Sequence, residues 1–151
     1  SHEKGAYSMS TMEWGVRIRG RAFGFERSTI WLGHTKYMDR WILYVGCGTL
    51  RLHKFYCGDD EHASHTHPWW FITFPLTSYE EAVYSRVFVQ KVRTVRAFRF
   101  HKRPADFEHI VYGRADGGRR PFYTLVLTGT RTNAWGFYPR PGKFIPWRGY
   151  K

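Results

Sequence analysis

The chain has 151 residues, 42% hydrophobic and 19% aromatic, with 24 Lys and Arg against 12 Asp and Glu, for a formal net charge of +12. That length suits one domain able to bury its own core without disulfides. No stretch approaches the ~18 consecutive apolar residues of a membrane-spanning helix.

The start, Ser1–Trp14, has no apolar run, so no secretory signal is expected and the protein is read as cytoplasmic. Ser1-His2 reads as a tag remnant, residues 1–12 as a flexible lead, and 13–151 as a single domain. Short runs rich in aromatic and β-branched residues then recur, bounded by Gly, Pro, Asp and Asn, as strands are. In order they are "EWGVRIRG", "RWILYVG", "TLRLHKFY", "WWFITFPL", "AVYSRVFVQKV", "TVRAFRF", "EHIVYG", "FYTLVLTG" and "NAWGFYP". "RADGGRR" (114–120) is a turn between two of them. One short helix is expected near residues 25–40. Eight or nine strands in this length predict an all-β sandwich, jelly roll or barrel.

Cys47 and Cys57 are ten apart. A zinc ribbon needs CxxC pairs and a disulfide scaffold needs more cysteines, so both are read as reduced thiols. There is no glycine-rich phosphate loop and no GxSxG elbow.

The densest chemistry is "EHASHTHPWWF" (61–71). His65 and His67, two apart, share a face if they lie on a strand. Two imidazoles on one face are half of a first-row metal site. His109, opening "HIVYG", is the natural third ligand and Glu81 a fourth; neutral imidazoles with one carboxylate suit iron(II), manganese, nickel or zinc. The plain alternative is a pair of histidines in a loop. His62 reads as a solvent residue. Alternation places Arg51 and His53 together on "TLRLHKF", so that if this face lines a barrel they would orient an anionic substrate. Arg99 is read the same way, because arginine grips carboxylates and phosphates bidentately. Trp70 and Trp135 are candidate stacking walls, although aromatics of this kind more often pack a core. Glu81 and His53 are also the candidate catalytic acid/base groups.

Together, "HTHPWWFITFPL…YEE", "RAFRFHKRPADFEHIV" and "YTLVLTGTRTNAWGFYPRPGKFIPWRGY" resemble a family of small cupin-fold proteins of bacteria and bacteriophages, over roughly residues 41–150. The resemblance implies a double-stranded β-helix barrel (a cupin-type jelly roll). It also implies a divalent metal held by His65, His67, His109 and Glu81. The cupin glutamate usually sits closer behind HxH than Glu80 and Glu81 do here, so a three-histidine site is an equal expectation. The functional expectation is a metal-dependent, iron(II)-type oxygenase or related enzyme acting on a small anionic molecule. The alternative is a non-catalytic barrel that binds a nucleotide or nucleic acid, which the charge of +12 favours. A homodimer is left open.

Overall fold

The computed structural model describes residues 6–57, 64–65, 67–85, 88–130, 136–140 and 143–146. They form thirteen strands: β1 (Ala6–Ile18), β2 (Arg21–Leu32), β3 (Thr35–Val45), β4 (Thr49–Phe55), β5 (Ser64–His65), β6 (Phe71–Pro75), β7 (Tyr79–Ser85), β8 (Phe88–Val95), β9 (His101–Arg103), β10 (Glu108–Arg114), β11 (Phe122–Thr128), β12 (Gly136–Arg140) and β13 (Lys143–Pro146). Two antiparallel sheets result. One has the order β1-β2-β3-β4-β11-β6-β9 and the other β13-β12-β5-β10-β7-β8. The all-β expectation holds.

Two expectations about the N-terminal third change. The helix near 25–40 is instead the β2–β3 hairpin, paired from Phe23↔Val45 to Leu32↔Thr35. Its residues are rich in β-branched and aromatic types, and Gly33, at φ 59°, supplies the left-handed turn between the strands. The flexible lead overlaps β1, whose pairing with β2 begins at Ala6↔Leu32. "TVRAFRF" is not one strand either. β8 ends at Val95, and residues 96–100 form a turn into β9, crossing from one sheet to the other.

Alternation sorts the interior. On β4 the inward positions are Thr49, Arg51, His53 and Phe55. Register sets them beside Thr128, Val126, Thr124 and Phe122 of β11. Across β3 the same positions meet Tyr44, Ile42, Arg40 and Met38. The interior therefore has two ends of different chemistry. Phe55, Phe122, Tyr79, Val95, Val111, Met38, Ile30 and Tyr37 form an apolar cluster at one end. Phe55 stacks on Phe122 at 4.9 Å, and Tyr79 of the facing sheet stacks on Phe122 at 5.9 Å. The other end carries hydroxyls, guanidiniums, imidazoles and a carboxylate. Among the described residues no helix is long and apolar enough to cross a membrane. Cys47 is exposed and Cys57 half-buried, both as free thiols.

Candidate metal centre and its basic lining

β5 is only two residues long, yet it joins the histidine stretch to the sheet. His65 pairs with His109 of β10 on one side and with Phe137 of β12 on the other. The side chain of His65 lies outside the described residues, as do His62, Trp135 and Trp147. Two residues on, the amide of His67 donates to the carbonyl of Ala105 at 3.2 Å, which fixes the loop against the β9–β10 connection. The His67 and His109 rings then stand 5.1 Å apart, between Phe71 and Phe107.

Glu81 organises this end. β7 pairs with β8 through Glu81↔Arg93 and with β10 through Val111↔Glu81, so its carboxylate is almost wholly buried beside both strands. His109 Nδ1 lies 2.8 Å from Oε2, Arg93 donates from Nε and Nη2 to Oε1 at 2.8 Å each, and Arg103 Nη2 reaches Oε1 at 3.3 Å. Burial pushes the Glu81 carboxyl up. The hydrogen bond and charge of His109, with those of the two arginines, outweigh it and hold the group at about 2. Phe107 lies within 5.6 Å of the Arg93 guanidinium and 4.9 Å of that of Arg103, so its ring packs against both.

The expectation that Glu81 is a fourth ligand meets a different geometry here. Both oxygens are engaged by His109 and arginines, as in a carboxylate that orients a ligating histidine from behind. A neutral imidazole that donates from Nδ1 keeps its lone pair on Nε2, the nitrogen that would face a metal. Metal–nitrogen bonds of about 2.1 Å put two ligating rings roughly 5–6 Å apart, and the His67–His109 separation agrees. No group of three His, Cys, Asp or Glu residues able to hold a metal occurs among the described residues. Two imidazoles and an orienting carboxylate nevertheless fit a divalent first-row ion.

Arg51 and His53 do share an inward face, as alternation predicts. Arg51 is 7% exposed. Its Nε donates to Thr49 Oγ1 at 2.8 Å, Thr49 shares a 2.6 Å hydrogen bond with Thr128, and the guanidinium lies 4.6 Å above the Trp69 ring. Neither Arg51 nor Arg40 forms an ion pair among the described residues; Arg40 donates from Nε to Ser28 at 2.9 Å. Burial and the neighbouring Arg40 lower Arg51 to about 10. His53, directly across from Arg40, is pushed well below its ordinary value by burial and then by Arg40 and Arg51. Its buried Nε2 has no hydrogen-bond partner.

Other calls move. The interior tryptophan is Trp69, which also lies 5.5 Å from His67. Trp70 is partly exposed, its carbonyl accepts from the amide of Gly129, and its indole crowds that glycine. Arg99 is exposed in the 96–100 turn, at the opposite end of the barrel from the histidines. Sequence reasoning missed Arg93, Arg103 and Arg40. Arg93 was within reach, because the β7–β8 hairpin sets it opposite Glu81. Arg103 comes from the other sheet, and no local pattern announces it.

No family model matches the chain, and no curated protein matches it. Solved structures do. A conserved protein with a double-stranded β-helix domain from Klebsiella pneumoniae subsp. pneumoniae matches at 15% identity, covering 68% of this chain and 84% of that one, with a TM-score of 0.50. DMSP lyase DddQ from Ruegeria pomeroyi matches at 16% identity, 82% and 59% coverage and a TM-score of 0.52. FeII HppE matches at 8% identity, 80% and 56% coverage and a TM-score of 0.50. The chain spans little more than half the length of the last two. These likenesses establish the cupin-type double-stranded β-helix fold and nothing finer.

Proposed function

We propose that this chain is a metal-dependent cupin enzyme that holds one divalent transition metal through His65, His67 and His109 and acts on a small anionic molecule. The observation that carries the reading is the buried Glu81–His109 hydrogen bond, with the His67 ring 5.1 Å from His109. A carboxylate behind an imidazole sets its tautomer and raises its basicity toward a cation. β5 brings the backbone of His65 beside His109, which supports His65 as the third ligand. Glu81 is a positioning residue in this reading, not a fourth ligand.

Iron(II) is the metal proposed first, with manganese, nickel and zinc as alternatives. Bound there, it would supply open coordination positions for substrate and dioxygen, hence oxygenase chemistry. The remaining work falls to the chain. Arg51, stacked on Trp69 and in no ion pair among the described residues, binds and orients the anionic end of the substrate. Arg40 adds to the positive field, and burial, then Arg40 and Arg51, keep His53 a neutral imidazole. His53 is thereby held as a neutral polar group beside Arg51, able to hydrogen-bond the substrate without carrying charge. Phe71 and Phe107 keep water from the imidazoles.

The test is metal content by elemental analysis of protein purified without a nickel column, for wild type and His109→Ala. About one equivalent of iron, manganese or zinc, lost in the variant, supports the reading. No metal after reconstitution overturns it. The second reading, capture of a nucleotide by the Arg51–Trp69 pair without turnover, then stands. It rests on buried Arg51 and half-buried Arg40, neither of which forms an ion pair among the described residues.

A further inference from the structure

At the end of the barrel away from the histidines, three connections meet. The β6–β7 turn gives Thr77 and Ser78, the β8–β9 turn gives Arg96, Ala97 and Arg99, and the β10–β11 turn gives Ala115 and Asp116. With Thr94 they line an open groove of about 710 Å³. The apolar cluster around Phe122 separates it from the metal centre, so the two sites are independent.

The β8–β9 turn reads Arg96-Ala97-Phe98-Arg99-Phe100. Phe98 is 70% and Phe100 79% exposed, the two most exposed large apolar side chains among the described residues. Both rings gather on Phe74, at 6.4 and 4.8 Å between centroids, and make a small aromatic surface in water. Phe98 also sits at φ +59°, a left-handed conformation that bulky residues rarely adopt. The turn is pinned there. The Phe98 amide donates to the Pro75 carbonyl at 2.8 Å, the Ala97 amide donates to Ser78 Oγ at 2.9 Å, and the His101 ring contacts the Arg96 carbonyl at 3.0 Å. A strained turn that presents two rings to solvent costs stability without adding to the core, which points to a role outside folding.

The charge is complementary to a polyanion. Arg96 and Arg99 alternate with the rings and form no ion pair among the described residues. Lys102 follows on β9, paired with Ile72 near Phe74. Of the acidic groups, Asp116 is already gripped by Arg114 through two hydrogen bonds of 2.9 and 2.7 Å. Glu80 lies opposite Thr94 on that flank. Hydroxyls of Thr77, Ser78 and Thr94 line the floor.

We propose that the β8–β9 turn, which sets Arg96 and Arg99 on this groove and holds the exposed rings of Phe98 and Phe100 beside it against Phe74, binds single-stranded nucleic acid. Bases stack on the phenyl rings, and the arginines and hydroxyls track phosphates, a combination that tolerates sequence. A duplex, whose bases are already stacked, cannot use the rings.

The experiment is fluorescence anisotropy of a labelled oligothymidylate with the full chain across a salt series. Wild type is compared with Phe98→Gly, Phe100→Ser and Arg96→Ser/Arg99→Ser. Glycine relieves the left-handed strain at 98, so that variant keeps the fold while losing the ring. The expected result is binding weakened roughly ten-fold or more by loss of either ring. Loss of the two arginines should make the log–log salt slope shallower by about 1.4. Duplex DNA should bind more weakly than the single strand. No binding, or binding that ignores the rings, overturns the proposal. So does loss of self-association by light scattering with oligonucleotide affinity unchanged, which would mark the surface as a contact for a second copy. Metal content is expected to be unchanged in all these variants, so failure here leaves the metal-centre reading intact.

Discussion

Glu81 Oε2 accepts a 2.8 Å hydrogen bond from His109 Nδ1 at a position 28 residues away in sequence, with Arg93 and Arg103 closing on the other oxygen. Replacing Glu81 by Gln removes the charge that three cationic or ionisable partners share. Loss of one member of a buried ion network costs about 3–5 kcal/mol, so a large fall in thermal midpoint is expected. Metal affinity should fall about 10–100-fold, read by chelator competition. A variant that melts like wild type with unaltered metal retention would remove Glu81 from the site.

Arg51 is buried and forms no ion pair among the described residues, and the field of Arg40 opposes it. Such a charge is a cost to the fold, which the proposed role of Arg51 in anion binding would explain. Arg51→Met should therefore raise stability by about 1–2 kcal/mol in denaturant unfolding while abolishing binding of small anions. Destabilisation instead would mean that the Thr49 hydrogen bond and Trp69 stack outweigh the desolvation.

His53 gives stability a pH signature. Its folded value lies well below the usual 6.5 because of burial and then Arg40 and Arg51. The unfolded chain takes up a proton there that the folded chain refuses. Stability from this group is complete above about 6.5 and falls as pH drops below it, by up to about 1.4 kcal/mol per pH unit. Unfolding curves at stepped pH should show that slope in wild type and a flatter one in His53→Leu. Parallel slopes would mean that His53 titrates normally.

Gly48 closes the turn between β3 and β4. A Cβ there would run into the backbone carbonyl of Thr128, which cannot yield as a side chain would. Gly48→Ala should cost about 3 kcal/mol or more, measurable by thermal melting, because it forces apart the strands that carry the Thr49–Thr128 hydrogen bond.

The site shows where local pattern stops. Alternation on "TLRLHKF" was enough to put Arg51 and His53 on one inward face, because a strand's side-chain period is fixed by its backbone. The same rule failed over 94–100, where "TVRAFRF" alternates like a strand but turns at Phe98 to cross between sheets. Arg99 therefore left the barrel. The helix expected near 25–40 gave way for a related reason: pairing partners on both sides outweigh weak local preference.

The sequence alone determined the class of this protein: all-β, basic, with HTH and a later histidine in a cupin-like order. Periodicity, composition and spacing are properties of neighbouring residues, and they suffice for that. Only the tertiary structure decided that Glu81 meets His109, Arg93 and Arg103, that Trp69 and not Trp70 meets Arg51, and that Arg96–Phe100 faces solvent at the far end. Each depends on which strand lies opposite which, and that register is set by closure of two sheets over one core.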